Sequence, residues 1–354
     1  MARPDPLTGL IDCLRGTVPE GADWAAIVGL ANKTLCSPMM AARLEGAGRL
    51  ADVPEDVRAF LGEMLARNAE RNQRLLAQLG EATAALSMVG VQPVLLKGAA
   101  WLASAAAQER GARMLADLDL LVPTGAFFAA IDRLRAIGYE LEAPALRPDV
   151  PAVLWRTQDP GTIDLHSDYG SPATLFYRYE DLARDAKPPR LLGSGALLPS
   201  AVAGVAILLL HDQLKGRDYL RGRVDLRHLI DIQYFASAFG EGDWAELDRL
   251  FTSAYARQAM RTQLLTARRL LGMNVPKELV RGLRPRVQFA RRQLQRRWPA
   301  LTPILTLLSL FDPAYLAARR TARRASAHGE CVGGGLPRRD SLFRLFLRDE
   351  LGKI

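Results

Sequence analysis

The run Asp117-Leu-Asp-Leu-Leu-Val122 constrains the fold of this chain more than any other segment. Acidic and apolar residues alternate at its start, and the run then becomes wholly apolar. Successive side chains of a β-strand point to opposite faces, so Leu118 and Leu120 are predicted to enter a core while the two aspartates share the other face. The run is therefore predicted to be a strand with one buried face.

The patterns around this strand predict a small mixed core between two helical regions. Three more short apolar segments are typical of strands, at residues 91–96, 153–157 and 162–166. The sequence Asp159-Pro-Gly161 indicates a turn that joins the last two as a hairpin. Before residue 90 and after residue 199, apolar residues recur three and four positions apart, as in amphipathic helices. The helices predicted after residue 199 span 200–215, 219–239, 244–255 and 258–271.

We therefore predict an α+β fold, with a mixed β-sheet core flanked by N- and C-terminal helical segments. The predicted parts are an N-terminal helical region at 1–90, an α/β core at 91–198, a helical bundle at 199–284 and a basic C-terminal tail at 285–354.

Cysteine usage and hydropathy predict a cytoplasmic protein. The three cysteines form no CxxC pair, which argues against a structural zinc site and a secreted disulfide scaffold. The N-terminal residues lack the apolar core of a secretory signal. The longest apolar run, at 201–210, is shorter than the roughly 20 residues that span a bilayer.

Two segments carry carboxylates that can meet at one place. Asp117 and Asp119 share a face of the first strand, and Asp164 and His166 share a face of a later one. If these strands are neighbours, three carboxylates converge. Such a group repels itself unless a cation lies between its members, and a divalent metal is the natural occupant. Two-metal phosphoryl or nucleotidyl transfer requires this arrangement.

Candidate phosphate-binding residues precede the aspartates. Lys97, Gly98 and Ala99 follow a predicted strand and open a helix, whose N-terminus favours negative charge. Gly98 lets backbone amides approach a triphosphate. Lys97 and Arg113 are candidate cationic contacts, because Arg113 lies in the loop that leads to Asp117.

These motifs, in this order, resemble the uncharacterised bacterial nucleotidyltransferase family of the DNA polymerase β superfamily. The resemblance rests on Leu96-Lys-Gly98, on the segment from Arg113 to Val122, and on Ile163-Asp-Leu-His166. It covers roughly residues 72–239. It implies a nucleotidyltransferase fold, one magnesium ion or two, and a nucleoside triphosphate such as ATP. It also implies that Asp117 and Asp119 are metal ligands and that Asp164 is the third carboxylate.

The resulting hypothesis is an enzyme that transfers a nucleoside monophosphate from a triphosphate to a hydroxyl. The sequence does not choose among a small molecule, a protein or peptide, and an RNA end as acceptor. Asp117, Asp119 and Asp164 are the predicted catalytic residues. His166 is predicted either to contact phosphate or substrate, or to hydrogen-bond the carboxylates. The wider superfamily has glycine or serine where Ala99 stands, which favours the alternative of a catalytically silent nucleotide-binding or antitoxin-like protein on the same fold.

The positive charge of the chain is concentrated near its C-terminus. Between residues 281 and 324 there are eleven arginines and a single acid, Asp312, while the whole chain carries +9. Such a segment suits nucleic-acid phosphates, or an anionic membrane surface where leucines accompany the arginines. The third interpretation, which we favour at this point, is a basic helix packed on the bundle with its arginines in solvent.

Overall fold

The structure is a computed structural model that describes residues 5–171, 175–327 and 352–354. Two compact units emerge, one formed by residues 1–167 with 183–199 and the other by 168–182 with 200–354. The helices of the first unit are α1 (Pro6–Leu14), α2 (Trp24–Lys33), α3 (Ser37–Gly46), α4 (Glu55–Ser87), α5 (Lys97–Ser104) and α6 (Phe127–Ala136). Its strands are β1 (Val94–Leu95), β2 (Asp117–Leu121), β3 (Glu140–Leu141), β4 (Ala152–Trp155) and β5 (Thr162–His166).

The second unit is mostly helical. It contains a two-stranded antiparallel sheet of β6 (Asp168–Ser171) and β7 (Leu175–Arg178). Its helices are α7 (Tyr179–Ala183, whose last residue falls in the first unit), α8 (Ala201–Leu209), α9 (Asp218–Arg221), α10 (Leu226–Ala236), α11 (Asp243–Leu250), α12 (Ala254–Leu271), α13 (Lys277–Val280), α14 (Leu283–Arg297), α15 (Thr302–Ser309) and α16 (Pro313–Ala327). A π-helical turn, Leu210–Lys215, extends α8.

The five-stranded sheet of the first unit is mixed, with the order β1-β2-β5-β4-β3. β2 and β5 run parallel, and the other neighbouring pairs run antiparallel. The hairpin predicted around Asp159-Pro-Gly161 joins β4 to β5. The predicted α+β class with a mixed sheet is confirmed.

The period-two pattern of β2 matches its burial. Leu118 and Leu120 are fully buried, as are Ile163 and Leu165 at the paired positions of β5. Apolar side chains thus cover one face of both central strands, which leaves the aspartates together on the other face.

The long helix α4 holds the loop that leads into β2. Its buried Asn68 donates hydrogen bonds from its side-chain amide to the carbonyl oxygens of Gly111 and Arg113, at 2.6 and 3.0 Å. Asn72, one turn later, donates to the carbonyl oxygens of Arg110 and Arg113, at 2.6 and 2.7 Å. Buried carbonyl groups need such partners, so these two side chains fix the path of the loop.

The same helix also holds the turn that leads into β5. Arg71 donates to the carbonyl oxygen of Leu115 and, at 2.6 Å, to that of Pro160. Gln78 donates to the carbonyl oxygen of Gly161 at 2.9 Å. One helix therefore fixes the entry points of both central strands.

The second unit departs from the sequence-based expectation in several elements. The helix predicted at 244–255 ends at Leu250, and the one predicted at 258–271 already begins at Ala254. The helix predicted at 219–239 is broken between α9 and α10, because Gly222 adopts the left-handed conformation with φ 76° and ends α9. Asp225 then begins α10 as its N-cap and accepts the backbone amides of Arg227 and His228. The strands β6 and β7 were not predicted.

The expectation that the arginines of the basic segment are all in solvent is wrong for two of them. A basic helix, α14, does pack on the bundle. However, Arg292 is buried and donates to Gln213, Gln263 and Thr266. Arg291 donates to the carbonyl oxygens of neighbouring elements. Composition shows that these residues are charged. It does not show the buried oxygen atoms that accept their hydrogen bonds.

We expect Asn72→Ala to lower the free energy of unfolding by about 1–3 kcal/mol, because the carbonyl group of Arg110 loses this donor and that of Arg113 is left with Asn68. The measurement is chemical denaturation followed by circular dichroism. The matched control is Gln73→Ala at the neighbouring exposed position, where a change within about 0.5 kcal/mol is expected. Equal stability of the two variants would contradict the role assigned to Asn72.

Candidate functional site

Three carboxylates meet on the face of β2 and β5 that lies opposite the buried leucines. Asp119 pairs with Asp164 in the register of the two parallel strands, and Asp117 lies two residues before Asp119 on the same face. One carboxylate oxygen from each of the three residues lies within 4.8 Å of the other two. The convergence expected from the sequence is therefore present.

This arrangement fits a divalent metal ion. Carboxylate oxygens are the ligands that magnesium prefers, at about 2.0–2.1 Å, so two ligands on opposite sides of one ion are separated by roughly 4.2 Å. One carboxylate oxygen from each of Asp117, Asp119 and Asp164 lies within 4.8 Å of the others, which is compatible with that spacing. Among the described residues, these three form the group with the ligand types and spacing to hold a metal ion.

Asp119 is the most enclosed of the three, with only 1% of its surface exposed. Its Oδ1 atom lies 2.7 Å from Nζ of Lys97 and 3.1 Å from Nε2 of His166. Burial raises the pKa of Asp119, but the charge of Lys97 and the hydrogen bond from His166 outweigh it and hold the pKa well below its usual range. Asp119 is therefore ionised and paired.

Asp164 has the opposite electrostatic environment. Burial and the negative charges of Asp119 and Asp117 raise the pKa of Asp164 to about 6. The charge of Lys97 opposes this shift without cancelling it. The pKa values of the two paired aspartates are thus shifted in opposite directions.

Lys97 reaches Asp119 from the first residue of α5. Its backbone is in the left-handed region, with φ 45°, which is uncommon for a residue with a side chain. Such a conformation persists only where the surroundings hold it in place. The side chain of Lys97 forms a buried ion pair with Asp119.

Gly98 allows a close contact, but the group that approaches it belongs to the protein. A Cβ atom at this position would lie 2.9 Å from Nη1 of Arg113 and 2.9 Å from a side-chain carbon of Leu115. The guanidinium of Arg113, which is buried, therefore packs directly against the start of α5. Two of the residues that were predicted to bind phosphate, Gly98 and Arg113, are thus in contact with each other.

Ala99 is more buried than a residue that contacts phosphate needs to be. Its side chain is fully buried, and its backbone amide donates to the carbonyl oxygen of Leu96 at 3.0 Å. A phosphate group would have to compete with that carbonyl for the amide.

The sequence profile of a family described as uncharacterised nucleotidyltransferase matches residues 20–272, more than two thirds of the chain. The chain belongs to this family. No curated protein and no solved structure matches it significantly. The resemblance drawn from the motifs is confirmed, and the family supports a transferase that acts on a nucleotide.

The structure therefore places most of the predicted site residues of this nucleotidyltransferase family member in one cluster. Lys97 and His166 contact Asp119, which lies beside Asp117 and Asp164. The remaining three predicted residues, at the start of α5 and in the loop before β2, are Gly98, Ala99 and Arg113. Of the two interpretations offered for His166, the hydrogen bond to a carboxylate is the contact observed.

Sequence reasoning missed the residues of α4 that position these strands. Asn68 and Asn72 occupy the buried side of the helix, in line with Leu61, Leu75 and Leu79. Two amide side chains one turn apart within an apolar stripe are a usable signal, since buried polar groups are kept where they have hydrogen-bond partners.

We expect Lys97→Met to lower the stability of EDTA-treated protein by roughly 3 kcal/mol, because a buried carboxylate loses its cationic partner. Added magnesium or manganese should then raise the melting temperature of the variant more than that of the wild type. In the wild type the ammonium of Lys97 already neutralises Asp119, so a metal ion stabilises the protein less. Thermal denaturation with and without each ion measures both effects.

Lys33→Met, at an exposed position of α2, is the matched control. It should change neither the stability nor the response to metal. An equal metal-dependent shift in wild type and Lys97→Met would show that Lys97 does not share the metal site.

Proposed function

We propose that this protein transfers a nucleoside monophosphate from a nucleoside triphosphate to a hydroxyl group and releases pyrophosphate. The observation that carries the proposal is the cluster of Asp117, Asp119 and Asp164 on neighbouring parallel strands in a member of a nucleotidyltransferase family. We propose ATP as the first donor to test and the cytoplasm as the location. The acceptor is a small molecule, a protein or peptide, or an RNA end.

The three aspartates are proposed to hold one magnesium ion or two. When bound, magnesium supplies positive charge to the triphosphate and lowers the pKa of the attacking hydroxyl. Asp119 keeps its ionised form through Lys97, and His166 fixes the orientation of its carboxylate. Asp164 completes the site and is proposed to accept the proton from the acceptor hydroxyl oxygen.

The proposed place for the triphosphate is the N-terminal end of α5. The first amides of a helix point outward and carry partial positive charge, which favours phosphate oxygens. Gly98 leaves room for the guanidinium of Arg113 at this end, and Lys97 brings a charged ammonium to the edge of the carboxylate cluster. Arg113 adds a second cation directly beneath Gly98. This arrangement supports binding of the phosphates beside the aspartates.

A second candidate function is nucleotide binding without transfer, as in a sensor or an antitoxin-like partner. The observation that favours it is Ala99, whose amide is already bonded to Leu96 and whose side chain offers no hydroxyl to a phosphate. Both candidates require nucleotide binding. They differ only in whether the nucleoside monophosphate is transferred to an acceptor.

Transfer is tested by incubating the protein with each of the four nucleoside triphosphates, labelled at the α-phosphate, with magnesium and with or without host lysate. Asp117→Asn and Asp119→Asn should each reduce labelling by roughly a hundredfold or more, because a metal ligand contributes several kcal/mol to the transition state. The matched control is Asp132→Asn on α6, where the side chain is 75% exposed. It should label as the wild type does.

Isothermal titration with the same nucleotides separates the two candidates. Nucleotide binding without label transfer under any condition supports the silent protein and overturns the enzyme. If neither binding nor transfer occurs, both candidates are wrong.

A further inference from the structure

Helix α15 and the turns that flank it expose side chains that a globular protein normally buries. Ile304, Leu308 and Phe311 are 59%, 60% and 66% exposed. With Leu301 and Leu307, they recur three and four residues apart and form one continuous stripe, which we call the outer leucine face. An apolar stripe of this kind ordinarily faces a core.

The opposite side of the same helix is polar and buried. Thr306 and Ser309 are almost fully enclosed. Ser309 donates from its hydroxyl to the carbonyl oxygen of Leu220 at 2.8 Å, and Gln295 donates from its side-chain amide to the hydroxyl of Thr306 at 3.2 Å. These bonds fix the rotation of the helix, so the exposure of the outer leucine face is built into the packing.

Arginines accompany the outer leucine face along the chain. In α14 and at its end, Arg284, Arg286, Arg296 and Arg297 are exposed, while the buried Arg292 anchors the helix to the bundle. Between residues 281 and 327 the sequence contains a single acid, Asp312. The carboxylate of Asp312 caps the backbone amide of Ala314 and is largely enclosed. The segment therefore presents positive charge and apolar surface together.

This combination selects among the partners that an exposed basic segment can have. Nucleic-acid phosphates match the arginines but leave five large apolar side chains in water. A second copy of the chain covers the leucines but brings two positively charged segments together. The interface of an anionic bilayer matches both features, since acyl chains receive the leucines and headgroups receive the arginines. Trp298, 56% exposed at the end of α14, is a residue type enriched at that interface.

We propose that the outer leucine face binds the surface of an anionic lipid bilayer. Among the described residues, no single helix is long and apolar enough to span a membrane. Two neighbouring helical segments reach the length and apolar composition of a membrane span only when taken together, and they are bent by 53°: Pro299–Ser309 and Pro313–Thr321. The geometry therefore points to α15 lying in the interface plane. The family match ends at residue 272, so this surface lies outside the part of the chain that the family describes.

Vesicle sedimentation of the full chain tests the proposal. Vesicles of phosphatidylcholine with about 30% phosphatidylglycerol should bind at least roughly tenfold more protein than phosphatidylcholine alone, and salt should weaken the binding. Ile304→Ser with Leu308→Ser should weaken it at least about tenfold. Arg296→Gln with Arg297→Gln should weaken it roughly fivefold for each arginine, since each contributes about 1 kcal/mol at an anionic surface.

The matched controls replace exposed leucine and arginine residues that lie outside the outer leucine face and its basic segment. Leu146→Ser alters a side chain that is 83% exposed, and Arg67→Gln with Arg135→Gln removes the same charge from α4 and α6. Both controls should bind vesicles as the wild type does. A blue shift of tryptophan emission on binding, absent in Trp298→Phe, places that residue in the interface.

Three results would overturn the proposal. The first is an absence of binding to either kind of vesicle. The second is undiminished binding by the Ile304→Ser, Leu308→Ser variant, with its fold checked by circular dichroism. The third result has two parts: RNA abolishes the binding of vesicles, and the Ile304→Ser, Leu308→Ser variant binds RNA as tightly as the wild type does. Together they would assign the surface to nucleic acid.

Discussion

Asp119 and Asp164 occupy paired positions on adjacent parallel strands, and the repulsion between their carboxylates governs the chemistry of this site. The protein offsets this repulsion at one of the two carboxylates. Lys97 and His166 both bond to Asp119, which stays ionised even though it is buried. Among the described residues no cation forms an ion pair with Asp164, and burial with the charges of Asp119 and Asp117 raises its pKa. The three carboxylates could hold a metal ion, and the ammonium of Lys97 is placed against one of them, Asp119.

The positions of these carboxylates depend on a helix that contributes none of them. Helix α4 bonds through Asn68, Asn72 and Arg71 to the loops that enter β2 and β5. Amide and guanidinium side chains suit this task because they donate to carbonyl groups that a loop leaves without partners. The register that pairs Asp119 with Asp164 is therefore supported from outside the sheet as well as by the ladder of hydrogen bonds within it.

Much of this site could be predicted from local patterns, because alternation over five residues identifies both the strand and the face that carries the aspartates. The order of motifs identified the family. Contacts between distant segments could not be predicted in this way. The ion pair of Lys97 with Asp119 depends on how α5 meets β2, and the packing of Arg113 against Gly98 depends on the path of a loop. The buried position of Arg292 was missed for the same reason, since its acceptors lie on other helices.

The parallel pairing of β2 with β5 also determines when the site can exist during folding. The chain must pass through α6, β3 and β4 before Asp164 reaches its place beside Asp119. Pairings between segments so far apart in sequence form late, because closing the intervening chain costs entropy before any contact compensates for it. A nascent polypeptide that has released β2 but not β5 has two of the three carboxylates and no neighbouring strand to supply the third. The proposed metal site is therefore complete only after the central strands have joined.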